Sequence, residues 1–134
     1  MKIIKIKIAA IIIFSVCLTT QIIHAQQPDT LTMPASEFKK HLEEKQGILV
    51  DVRTPEEYGK EHIKGSKNID VKADDFESEI NKLDKSKIYF IYCGVGKRGS
   101  LAMQKMHHAG FMKLYNLEGG LNGWKKEKFP FTDK

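Results

Sequence analysis

Lys87-Ile88-Tyr89-Phe90-Ile91-Tyr92-Cys93-Gly94-Val95-Gly96-Lys97-Arg98-Gly99-Ser100-Leu101-Ala102 decides the fold of this chain. The stretch opens with a continuous apolar run rich in Ile, Tyr and Phe, which reads as a strand buried on both faces. A cysteine ends the run, a loop of glycines and cations follows, and a helical pattern sets in at Gly99 or Ser100. Glycine permits the sharp turn in which successive backbone N–H groups point inward. A helix starting there aims its positive end into the same hollow. Cys93 is therefore expected at a strand end, facing the amides of the Gly94, Val95, Gly96 and Gly99 loop and the cations of Lys97 and Arg98. Such surroundings favour the thiolate, the reactive form of cysteine.

Working outward, strands and helices alternate. Leu31-Thr32-Met33 is a short first strand. Pro34 suits a first helical turn, with Phe38 and Leu42 one turn apart and Gly47 closing the segment. Ile48 to Val52 is a second buried strand. Thr54-Pro55-Glu56-Glu57 has the order of a capping box, opening a helix that ends at Tyr58-Gly59. His62 to Ser66 turns into a third strand, Lys67-Asn68-Ile69, and residues 74 to 83 carry Phe76, Ile80 and Leu83 at helical spacing. After the helix from Ser100 to Ala109, Gly110 is placed to cap it in a left-handed conformation. Lys113 to Leu117 is a last strand, and Glu118-Gly119-Gly120 breaks into a terminal helix holding Leu121 and Trp124. This alternation predicts an α/β fold with a mostly parallel sheet covered on both faces.

The first 25 residues stand apart. Lys2, Lys5 and Lys7 precede an apolar run from Ile8 to Leu18, and a polar stretch leads to Ala25, the order of a cleavable secretory signal. The run is too short for a bilayer span, which needs about 20 residues. Lipidation at Cys17 is the alternative, but Phe14-Ser15-Val16 lacks the small residue such processing wants upstream. The expectation is export to the periplasm or beyond with cleavage after Ala25, so the membrane matters only during export. One domain over residues 26–134 would remain. Of 22 Lys plus Arg, three leave with the signal, and 19 remain against 17 Asp plus Glu, about +2. That balance, without a basic stripe, argues against nucleic acid as a partner. Without Cys17, Cys93 is the only cysteine, and no intramolecular disulfide can form.

Three separated segments together resemble the rhodanese-like domain family. Asp51-Val52-Arg53-Thr54-Pro55-Glu56-Glu57-Tyr58 with His62-Ile63-Lys64-Gly65-Ser66 is similar to its first signature. Tyr92-Cys93-Gly94-Val95-Gly96-Lys97-Arg98 is similar to its active-site loop, and Asn116 to Trp124 followed by Pro130 to its closing segment. The resemblance implies a three-layer rhodanese-like fold and thiosulfate sulfurtransferase activity through a persulfide on Cys93. The residues accommodate that chemistry. A sulfane-sulfur donor such as thiosulfate is a small anion, which Lys97, Arg98 and the loop amides can bind. Thiolate attack then releases sulfite, and a thiol or cyanide accepts the sulfur. No cofactor is called for, and a monomer is expected. The alternative is a persulfide carrier or anion-binding module that acts with a partner protein without turnover. The chain departs from the family pattern at Gly94, at Gly99 and at Lys64, which bears on donor preference.

Other readings of the loop fit less well. Gly94 to Gly99 matches G-x-G-x-x-G with Glu118 downstream, but the chain has no room for the rest of a dinucleotide fold. A phosphatase loop wants its arginine one place later than Arg98. A papain-like hydrolase needs a histidine base, and His41, His62, His107 and His108 carry no such signature. His107 and His108 are adjacent and diverge on a helix, so no metal site is expected. His62 is expected to hydrogen-bond within its turn. Asp51 with Arg53 reads as a structural ion pair or cap, and Tyr115 and Trp124 as core.

Overall fold

The computed structural model describes residues 29–133. The expected signal over residues 1–25, with Cys17 and the expected cleavage after Ala25, lies outside the described residues. Along the chain run β1 (Asp29–Met33), α1 (Ala35–Lys45), β2 (Ile48–Asp51), α2 (Pro55–Lys60), β3 (Glu61–His62) and β4 (Lys67–Asn68). They are followed by α3 (Phe76–Asn81), β5 (Tyr89–Tyr92), α4 (Lys97–His108), β6 (Lys113–Leu117), α5 (Gly120–Lys126) and β7 (Thr132–Asp133). Five strands form one sheet in the order β1-β6-β5-β2-β4, all parallel. β5 is central, with Val50 opposite Ile91 on one side and Tyr115 opposite Phe90 on the other.

The two-residue alternation of β5 divides the core. Tyr89 and Ile91 pack with Phe76, Ile80, Ala102 and Met106 of α3 and α4. Phe90 and Tyr92 pack with Phe38 of α1 and Leu121 and Trp124 of α5 on the opposite face. Phe90 meets Phe38 edge-on at 5.2 Å and Tyr115 at 5.1 Å. Each fully buried aromatic of this kind contributes about 1.5–3 kcal/mol of burial. Cys93, the next odd-numbered residue, continues on the α3–α4 side. Tyr115 and Trp124 are core, as expected.

Several boundaries differ from the sequence reading. α4 starts at Lys97, ahead of the Gly99 or Ser100 start, because Gly96 at φ 101° turns the chain at once and its carbonyl accepts from Ser100 N at 3.1 Å. α2 runs past Gly59 to Lys60, with the capping box formed: Thr54 Oγ1 accepts from Glu57 N while Glu57 accepts from Thr54 N. β2 stops at Asp51, β4 at Asn68, β5 starts only at Tyr89, and α3 covers just the Phe76–Asn81 part of its expected span. The antiparallel pair β3–β7 was not expected, since two-residue strands show no periodicity. The end of α4 matches expectation: Gly110 at φ 97° allows Phe111 N to reach Met106 O at 3.1 Å and Gly110 N to reach His107 O at 2.9 Å.

Candidate active site

Strand β5 carries the chain to Cys93, and helix α4 leaves four residues later, at Lys97. Between them the Gly96 N–H donates to Cys93 Sγ at 3.0 Å. The sulfur thus holds a backbone donor at the N-terminal, positive end of a twelve-residue helix. The loop is seated from outside by α5: Leu121 N donates to Cys93 O at 2.6 Å, and Asn122 N to Gly94 O at 3.1 Å. That approach requires glycine at position 120, where φ is 56° and any Cβ would overlap the Cys93 carbonyl. Below the loop, buried Asn116 donates to Ser100 Oγ at 3.2 Å and Thr32 Oγ1 at 3.3 Å. Its side chain fills the space that a Cβ at Gly99 would take.

A cleft of about 470 Å³ opens against this loop. Gly94, Val95, Leu121 and Asn122 form one part of its lining, and Glu57, Arg98, Lys60 and Glu61 another. Cys93 is fully buried and does not line the cleft, so a reactant reaches the sulfur by displacing part of the Gly94–Gly96 loop.

The two cations of the loop part company. Lys97 is exposed and lies outside the cleft lining. Arg98 enters the cleft but its guanidinium is engaged by Glu57, Nη1 to Oε2 at 2.6 Å and Nη2 to Oε1 at 2.8 Å. Of the two cations expected to face the loop, the structure has Arg98 compensated by Glu57 and Lys97 turned to solvent. The reason lies in α2, whose third residue points its carboxylate along the helix start toward α4. The hydrogen bond from Arg98, helped by those from Thr54, holds the Glu57 carboxyl down to about 2. The Glu57 hydrogen bond raises the Arg98 pKa in turn, with the Cys93 charge a smaller contributor.

Beside the cleft, Asp51 and Arg53 form the structural pair anticipated from sequence. Arg53 Nη2 donates to Asp51 Oδ2 at 2.7 Å and to Glu61 O at 2.6 Å, and the Arg53 amide donates to Asp51 Oδ1 at 2.9 Å. Burial opposes the arginine's charge, yet Asp51 outweighs it and the pKa is raised. The Tyr92 hydroxyl, accepting from Ile63 N at 2.9 Å, is pushed up chiefly by burial. His62 bonds Tyr58 O through Nδ1 at 2.9 Å and stacks on the Tyr58 ring. Among the described residues, no three His, Cys, Asp or Glu side chains gather as metal ligands, and no helix is long and apolar enough to cross a membrane.

The model of the rhodanese-like domain matches residues 34–127. The chain belongs to the rhodanese-like domain family. Its relatives include the uncharacterized protein YqhL of Bacillus subtilis, 31% identical over 74% of this chain and 75% of YqhL. The adenylyltransferase and sulfurtransferase UBA4 of Debaryomyces hansenii is 31% identical over 72% of this chain, which spans only 24% of that protein. The putative sulfur carrier protein YrkF of Bacillus subtilis is 32% identical over 65% of this chain and 46% of its own length. Among solved structures, the rhodanese-like domain of an Anabaena protein superposes with a TM-score of 0.69 at 27% identity, covering 81% of this chain and 80% of that one. A Staphylococcus aureus rhodanese-like domain protein gives 0.60 at 31% identity, over 72% and 90% of the two chains. At family level, this membership and these names support sulfur transfer and a sulfurtransferase.

Sequence reasoning missed Glu57 as a cleft residue. Its place three after Thr54 explains the cap, but no local signal links it to Arg98, 41 positions later. Asn122 and Leu121 were likewise visible only as part of a closing motif, although Gly119-Gly120 before them signals a close backbone approach.

Proposed function

We propose that this rhodanese-like protein moves sulfane sulfur from thiosulfate or a related donor to a thiophilic acceptor through a persulfide on Cys93. The hydrogen bond from the Gly96 amide to Cys93 Sγ carries the reading, because it aims a backbone donor at the sulfur from the start of a helix. The Cys93 thiolate attacks the outer sulfur of thiosulfate, a bond forms between the two sulfurs, and the bond to the sulfonate group breaks. Sulfite leaves with the electron pair, and a persulfide anion remains. Cyanide or a thiolate then takes the terminal sulfur and regenerates the Cys93 thiolate. Gly94, Val95 and Arg98 line the cleft beside the sulfur, and the Gly96 amide meets the sulfur itself.

Intact mass after incubation with thiosulfate tests this. One added sulfur atom is expected, removable by a reducing thiol and absent in Cys93→Ser; loading of the serine variant would sink the assignment. The carrier reading is supported by the full burial of Cys93, which suits a sulfur handed on only when a partner opens the loop. Repeated thiocyanate release from thiosulfate and cyanide marks the enzyme, and a single equivalent marks the carrier. The order of residues 1–25 supports action after export, in the periplasm or outside the cell.

A further inference from the structure

The cleft beside Cys93 is compensated charge by charge. Arg98 is held by both oxygens of Glu57. Lys60 faces Glu56 at 2.7 Å, Glu61 receives Lys125 at 2.8 Å, and Arg53 is sealed against Asp51. A doubly charged donor entering here meets no uncompensated cation within the lining. To take the two Arg98 donors that Glu57 holds, it must displace a carboxylate already fixed by a bidentate guanidinium and by the Thr54 cap. Its own two charges would also stand beside that carboxylate, an arrangement of like charges that disfavours binding. Exposed Val95 and the buried Leu121 in the lining offer apolar wall instead.

Resting on the sulfurtransferase reading above, we propose that Glu57 is a specificity-determining residue, which by occupying Arg98 turns the site from thiosulfate toward organic persulfides of lower charge density at the sulfur. Sulfur delivery then needs no anion clamp. The Cys93 thiolate attacks the outer sulfur of the organic persulfide, the sulfur–sulfur bond to the organic group breaks, and an organic thiolate leaves with the electron pair. Glu57 acts through Arg98 and touches no reacting atom.

The test compares kcat/KM for thiosulfate and for glutathione persulfide in the full chain and in Glu57→Gln. The amide keeps the shape and an acceptor for the Thr54 cap but removes the charge. The ratio of thiosulfate to persulfide use is expected to rise roughly tenfold, and to fall back when Arg98→Gln is added. A loss of α2 structure alone would slow both donors together and leave the ratio in place. An unchanged ratio, with Cys93 still acquiring sulfur by mass, overturns the role of Glu57 and leaves sulfur transfer standing. Failure of Cys93 to load from either donor overturns the underlying reading and this inference with it. Should Glu57→Gln fail to fold, the unsubstituted protein decides. Between ~0.01 and ~0.15 M salt the Debye length falls from ~30 to ~8 Å. A compensated cleft should change thiosulfate kcat/KM less than about twofold over that range, whereas a tenfold fall would overturn the proposal.

Discussion

Two arginine–carboxylate pairs stand within one region of the molecule and do different work. Asp51–Arg53 joins residues two apart, and its side chains are 0% and 5% exposed. Glu57–Arg98 joins residues 41 apart across a cleft, at 38% and 24%. The first is enclosed by the β2–β4 edge, where Asn68 also donates to the Asp51 and Arg53 carbonyls at 3.0 and 2.8 Å. The second is wet on one side and borders the only described thiol. A sealed pair fixes backbone; an open pair sets what a neighbouring reactant experiences.

The sealed pair gives the largest effect. Asp51→Ala would leave Arg53 charged and buried, at a cost of about 3–5 kcal/mol. Urea unfolding should show it as a large drop in midpoint; a loss under about 1 kcal/mol would mean that the pair is not enclosed as described. Next comes the seat between the two regions. Gly120→Ala forces a Cβ into the Cys93 carbonyl at positive φ and should cost roughly 1–3 kcal/mol. It should also slow sulfur loading of Cys93 more than that stability loss explains. Equal loading rates would show that α5 does not hold the loop.

The open pair should give the smallest effect on stability. Glu57→Gln is expected to lose under about 1 kcal/mol at neutral pH, because partial exposure screens the charges. The folded Glu57 carboxyl lies near 2, below its ordinary 4.5. Its contribution is therefore present above about 4.5 and lost as pH falls toward 2. Thermal midpoints of the two proteins should converge over that window; a gap that stays constant there would remove the charge from the explanation.

The same contrast explains what was legible in the chain. Asp51 and Arg53 sit at the end of an apolar run, so burial and proximity together announce their pairing. The continuous apolar run of β5 announced a strand buried on both faces, and the capping order of Thr54 to Glu57 announced α2. The helix start at Lys97 was not legible, because it depends on Gly96 taking a left-handed turn that Gly94 or Gly99 could equally have taken. Nor was the Glu57–Arg98 contact, whose partners meet only after the sheet has brought α2 and α4 together. The division of roles between Lys97 and Arg98 followed from that contact, and adjacency in sequence hid it.

Complete enclosure of the Cys93 sulfur also sets a clock. A peroxide or disulfide diffusing past the protein finds Val95 before it finds a nucleophile, and it can react no faster than the loop uncovers the atom. For a thiol so enclosed, survival against an oxidant is then governed by opening kinetics, and raising the oxidant concentration shortens its lifetime only until that opening becomes the slowest event.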